Sequence, residues 1–141
     1  MKLDIYNWEL LKEVSPKFSI SLKKLEKALK EQFSEYNLFQ VGIVCVNSEY
    51  IHRLNLEYRK KNYVTDVLSF NLDTEPLVAE VYICPEYIFS NTKPSLFEEE
   101  IVRNIVHGLL HIVGYDHGED MEKTEMLVKQ EDIVKKIFNT L

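Results

Sequence analysis

Three of the four histidines fall within the eleven residues His107-Gly108-Leu109-Leu110-His111-Ile112-Val113-Gly114-Tyr115-Asp116-His117, at the spacing of a metal site. On a helix turning about 100° per residue, His107 and His111 lie on one face a turn apart, so two imidazoles can aim at a single point. Gly114 lets the backbone leave the helix in a left-handed conformation, and the chain can then bring His117 back toward the same ion. Three neutral imidazoles leave the fourth position of a tetrahedral zinc open, as in a catalytic rather than a closed structural site. One zinc per chain, held by His107, His111 and His117, is the expectation. The plainer alternative is three histidines satisfied by hydrogen bonds in a buried helix and the turn after it.

The spacing coincides with the His-Glu-x-x-His-x-x-Gly-x-x-His pattern of metzincin peptidases at every ligand and at the glycine, but Gly108 stands where those enzymes carry glutamate. That glutamate is the general base for the attacking water, so the ligand spacing is present while the proteolytic base is missing.

The other polar clusters carry less chemistry. A net charge of -6 opposes nucleic-acid binding in general, so any positive patch must be local. Arg59-Lys60-Lys61 is the best candidate, at the end of a predicted helix where cations also complement the helix dipole. His52 falls inside that helix, away from the triad, as a solvated or locally bonded residue. Glu98-Glu99-Glu100 reads as acids favoured in a first helical turn rather than as metal ligands. Asp116 either holds its turn or bonds a ligand imidazole, and the roles of Asp66 and Ser69 stay open between structure and catalysis.

The elements that must position these groups are legible from periodicity. Strands are predicted over Lys2 to Trp8, Phe39 to Val46, Asp66 to Leu72 and Val78 to Cys84, the last two separated by Asp73-Thr74-Glu75-Pro76. Leu22 to Phe33 has helical spacing, and Asn47 or Ser48 can cap a helix burying Ile51, Leu54 and Tyr58. Ser95 followed by Glu98 is a capping-box pattern for the histidine helix, whose middle is apolar nearly all round. A last helix from about Glu119 to Asn139 offers Leu127, Val134, Ile137 and Phe138 to the core. The order β-α-β-α-β-β-α-α implies an α+β fold: one domain over 1–141, a mixed four-stranded sheet covered by helices, and a central, zincin-like metal-binding helix.

Composition agrees with a small enzyme of 141 residues and one core. Cys45 and Cys84 lie far apart in apolar runs, as buried free thiols of a reducing compartment. The first residues lack the pattern of a signal peptide and no run is long enough to span a bilayer, so the expected location is the cytoplasm, with no membrane partner.

His107-Gly108-Leu109-Leu110-His111 with Gly114-Tyr115-Asp116-His117 resembles the signature of the YbeY family of bacterial ribosomal RNA maturation factors. Leu54-Asn55, Tyr58-Arg59 and Thr65-Asp66-Val67-Leu68-Ser69-Phe70 resemble that family's other block, and the segment around Met126 and Glu131 is compatible with its final helix. The resemblance implies a zinc-dependent single-strand endoribonuclease that matures 16S ribosomal RNA, takes part in ribosome quality control, and meets the small ribosomal subunit or its assembly proteins. It also implicates Arg59, whose planar guanidinium can hold a phosphate in a two-pronged fork and stabilise its extra transition-state charge. The sequence departs from the family pattern at Val64 and Asn71, where proline is usual or common, and at Ala79-Glu80 in place of Gly-Asp, which leaves the role of Glu80 open. Two other classes stay in view: a zinc peptidase, opposed by Gly108, and a noncatalytic assembly factor whose zinc stabilises the fold.

Overall fold

The computed structural model describes residues 1–115 and 120–141. It has one four-stranded sheet in the order β1-β2-β4-β3, formed by β1 (Lys2–Tyr6), β2 (Leu38–Cys45), β3 (Val67–Thr74) and β4 (Leu77–Ile83). β1, β2 and β4 run parallel, and β3 pairs antiparallel with β4 as the edge strand. The fold is the predicted α+β class with a mixed four-stranded sheet. β1 stops short of Trp8 because Asn7 adopts φ 60°, a left-handed conformation that asparagine tolerates, and its side chain donates to the Cys45 carbonyl.

The helices are α1 (Leu10–Val14), α2 (Leu22–Gln32), α3 (Ser48–Arg59), α4 (Pro85–Ser90), α5 (Phe97–Ile112) and α6 (Asp120–Phe138). α1 and α4 are absent from the sequence-based order, since a helix of five or six residues is too short to display a 3.6-residue period. Alternation along β4 splits the interior. Ala79, Val81 and Ile83 face the main core with α2, α5 and α6, while Tyr82 and Cys84 face a smaller cluster containing Ile51 of α3. α5 packs on β3, β4 and α6, so the histidine helix is the central one.

Of the two candidate caps, Asn47 and not Ser48 caps α3, its Oδ1 accepting from the Tyr50 amide at 2.8 Å. Asn47→Ala is therefore expected to lower the unfolding free energy by about 1 kcal/mol in denaturant titration, with an unchanged m-value. Three sequence-based expectations are corrected. Ser95 does not cap α5: Pro94–Leu96 forms a 3-10 turn, the helix starts at Phe97, and Glu98 instead accepts from Ser19. Tyr58 is exposed, and Asn55 takes its expected place on the buried stripe because its amide donates to the Tyr63 carbonyl at 2.9 Å. Leu127 is exposed, the inward stripe of α6 running instead through Met126, Gln130, Ile133, Val134 and Ile137.

Both cysteines are buried free thiols, and burial pushes the Cys45 thiol up to about 12, far from a reactive thiolate. No helix among the described residues is long and apolar enough to cross a membrane.

Candidate active site

A cleft of about 910 Å³ opens beside the edge strand β3, and its lining brings together His107, His111, Arg59, Lys61, Tyr63 and Ser69 from α5, α3, β3 and the loop after α3. Each histidine is held through its Nδ1 atom. His107 Nδ1 lies 2.7 Å from Gln130 Oε1, and His111 Nδ1 lies 3.0 Å from the Tyr115 carbonyl. Both partners are oxygen acceptors, so the Nδ1 atoms carry the protons and, in the neutral rings, the Nε2 lone pairs are the ones that could hold a metal. Those two Nε2 atoms are 3.2 Å apart. Ligand nitrogens about 2.0–2.1 Å from a tetrahedral ion stand about 3.3 Å apart, so the pair fits one edge of such a coordination shell.

Local structure explains why the rings hold this geometry. α5 ends in a Schellman motif: Gly114 has φ 111°, its amide donates to the His111 carbonyl at 3.1 Å, and the Tyr115 amide donates to the Leu110 carbonyl at 3.0 Å. The predicted helix exit at Gly114 is thus observed, and it delivers the Tyr115 carbonyl to His111. Asp116 and His117 lie outside the described residues. Among the described residues no group of three or more His, Cys, Asp and Glu side chains gathers as a metal cluster.

Gly108 sits against the sheet. A Cβ there would fall 2.7 Å from Val81 Cγ1 and 2.9 Å from Ser69 Oγ. Ser69 donates to the Gly108 carbonyl at 3.0 Å and Asn71 donates to the Ile112 carbonyl at 3.3 Å, so β3 is stitched to α5 along the floor of the cleft. Asn71, one of the departures from the family pattern, thus has a structural use.

Arg59 reaches the cleft from the C-terminus of α3. Its Nη2 donates to the Ser69 carbonyl at 2.7 Å and its guanidinium lies 5.2 Å from the Phe70 ring centre, which fixes the plane while using one of five N–H groups in that hydrogen bond. The loop beyond it is pinned as well. Asn55 holds the Tyr63 carbonyl, and Asn62 Oδ1 lies 2.7 Å from His52 Nε2, so His52 is locally bonded as expected. Asp66 Oδ1 accepts from the Val67 amide at 2.8 Å and from Thr65, shaping the entry to β3 at the cleft margin. Glu80 accepts from the Tyr82 hydroxyl and does not line the cleft. Glu99 and Glu100 pair with Arg103, as first-turn acids rather than a metal site.

Sequence reasoning missed Gln130 and Tyr63. The signal for Gln130 was a single polar residue on the apolar stripe of α6. Tyr63 lies in a loop without periodicity, where only contacts distinguish a cleft residue from a solvated one, whereas Lys61 of the predicted positive patch lines the cleft with Arg59.

The fold and cleft define an α+β domain whose core helix presents an imidazole pair to a cleft carrying arginine and lysine beside a sheet edge. The chain belongs to the YbeY family, whose model, described as Endoribonuclease YbeY, matches residues 9–138. It is 35% identical over 134 residues to the Endoribonuclease YbeY of Thermotoga neapolitana, covering 93% of this chain and 83% of that protein. To the Endoribonuclease YbeY of Phytoplasma australiense it is 38% identical over 148 residues, covering 97% and 96%. The solution structure of TM1509 from Thermotoga maritima superposes with a TM-score of 0.64 at 30% identity, covering 97% of this chain and 89% of that one.

Proposed function

We infer that the chain is an endoribonuclease, as its family's description and its relatives' names state, and propose that it cuts single-stranded ribosomal RNA in the cytoplasm with one zinc ion bound by His107, His111 and His117. The observation that carries this reading is the placing of the His107 and His111 Nε2 atoms, 3.2 Å apart, in the same cleft as Arg59. A zinc ion there would supply Lewis-acid polarisation of a phosphate oxygen and would lower the pKa of a coordinated water from about 15.7 toward 7. Arg59, oriented by the Ser69 carbonyl and the Phe70 face, binds the phosphate and balances the charge it gains as a fifth oxygen approaches. Lys61 adds a second positive charge in the cleft, and Tyr63, about half exposed, offers a ring on which an unpaired base can stack. Stacking of that kind favours single strands, because bases inside a duplex have both faces covered.

The chain's charge of -6 weakens long-range attraction to free RNA. We therefore propose that a precursor small-subunit particle or its assembly proteins deliver the 16S RNA, raising its effective concentration at the cleft, in maturation and in ribosome quality control.

Metal analysis of the purified protein tests the ion directly. The expected result is close to one zinc per chain, most of it lost in His107→Ala and His111→Ala and retained in His52→Ala. Stoichiometric zinc in both triad variants would remove the ligand assignment. Cleavage of single-stranded RNA lost with the metal and restored by zinc supports the enzyme, whereas ribosomal association that persists without zinc or cleavage would favour a noncatalytic assembly factor.

A further inference from the structure

We propose that Gln130 is a positioning residue: from α6 its Oε1 accepts a hydrogen bond from the Nδ1–H of His107 and thereby fixes the tautomer whose Nε2 lone pair meets that of His111 in the cleft. The proposal rests on the reading of His107 as a metal ligand.

Gln130 is 5% exposed, in a helix whose other buried positions among the described residues are apolar, and a buried amide must have its partners on both sides. It has them. Oε1 lies 2.7 Å from His107 Nδ1, and Nε2 donates to Glu131 Oε2 at 3.1 Å. The second contact decides the direction of the first. A flipped amide would turn its oxygen onto the ionised Glu131 carboxylate and replace that hydrogen bond by a repulsive contact, so Oε1 is the atom that faces His107 Nδ1 and the ring must donate to it. Glu131 is in turn fixed by Arg103 of α5, which donates to both of its carboxylate oxygens at 2.9 and 2.8 Å and also pairs with Glu99 and Glu100. The Arg103 hydrogen bond holds the Glu131 carboxyl below its ordinary value, so it stays an ionised acceptor for the amide. Arg103 and Gln130 thus both donate to Glu131 while His107 donates to Gln130, an oriented hydrogen-bond chain that links Arg103 to the imidazole one helical turn along α5.

Such a chain matters because a free histidine in water prefers the proton on Nε2, the atom needed here as ligand. A residue that holds the proton on Nδ1 removes that competition and makes the ligand nitrogen more basic.

The test uses nitrogen-15 NMR of the full chain without metal, followed by zinc titration against a competing chelator. Wild-type His107 is expected to show the Nδ1-protonated tautomer, and Gln130→Met, with similar volume and no acceptor oxygen, is expected to move it toward Nε2. Zinc should then bind about 10–100-fold more weakly in Gln130→Met. In Gln130→Glu the acceptor survives although the amide donor to Glu131 does not, so the tautomer and zinc affinity should stay within about threefold of wild type or better. A role confined to packing α6 on α5 predicts the reverse order, because a second carboxylate beside Glu131 disturbs that contact. An unmoved tautomer and unchanged zinc affinity in Gln130→Met would overturn the proposal. Should that variant not fold, a tenfold loss of zinc affinity in Gln130→Glu would overturn it. If wild type binds no zinc, the metal reading fails, while the tautomer comparison still decides whether Gln130 positions the ring.

Discussion

Gly108→Glu is expected to cost several kcal/mol of stability, enough to unfold much of the protein, and to yield no peptidase. Position 108 meets the sheet at a distance that leaves no room for any side chain, since its missing Cβ would lie 2.7 Å from Val81 Cγ1, 2.9 Å from Ser69 Oγ and 3.3 Å from Val67 Cγ2. Val81 is fully buried and β-branched, so its rotamer has little freedom, and the Ser69 hydroxyl is committed to the Gly108 carbonyl. Alanine would gain about 1 kcal/mol of helix propensity and lose about 1–3 kcal/mol to overpacking, a net loss of about 0–2 kcal/mol. Glutamate adds an uncompensated carboxylate between helix and sheet, a further cost of several kcal/mol against a total stability of about 5–15 kcal/mol. Denaturant unfolding of both variants measures this, with a peptide-cleavage assay alongside. A Gly108→Glu protein that unfolds like wild type and cuts peptides would show that the contact yields, and would restore the peptidase reading.

Arg59→Ala is expected to lose about 10²–10³-fold in RNA cleavage, the scale seen when one donor to developing charge is removed, while keeping its zinc and its fold. The side chain is exposed and its described contacts are a carbonyl and a ring face, so truncation should cost about 1 kcal/mol of stability or less. Arg59→Lys should recover only part of the activity, because an ammonium keeps the charge without the planar fork. Cleavage of naked RNA and of a precursor small-subunit particle should be compared at matched salt. Full activity of Arg59→Ala on both would take the arginine out of the mechanism. Wild-type binding to naked RNA as tight as to the particle would remove the need for a partner.

What the sequence disclosed, and what it withheld, follows from the range of the interactions involved. The helical spacing of His107 and His111, the Asn47 cap and the alternation of β4 are local patterns, and each is realised in the structure. The capping box at Ser95 and Glu98 was local too, but the turn at Pro94 moved the helix start beyond its reach. Facing is a longer-range matter. Spacing alone could not show that Gly108 abuts β3 and β4, so a glycine that first reads as a missing base proves to be a packing requirement. Likewise Tyr58 and Leu127 fit apolar stripes whose inward positions go to Asn55 and Met126, because the partner surface chooses the stripe's angle.

The Schellman ending of α5 gives the last turn of that helix a second duty. Helix ends ordinarily fray at little cost to anything else. Here Tyr115 closes the turn with its amide and steadies His111 with its carbonyl, so fraying also removes a hydrogen bond from an imidazole of the cleft. The geometry of the ring pair is thereby coupled to the closing of a helix terminus. Anything that gripped the two rings would in the same act slow the exchange of the Tyr115 amide with solvent, joining chemistry and local folding in a single equilibrium.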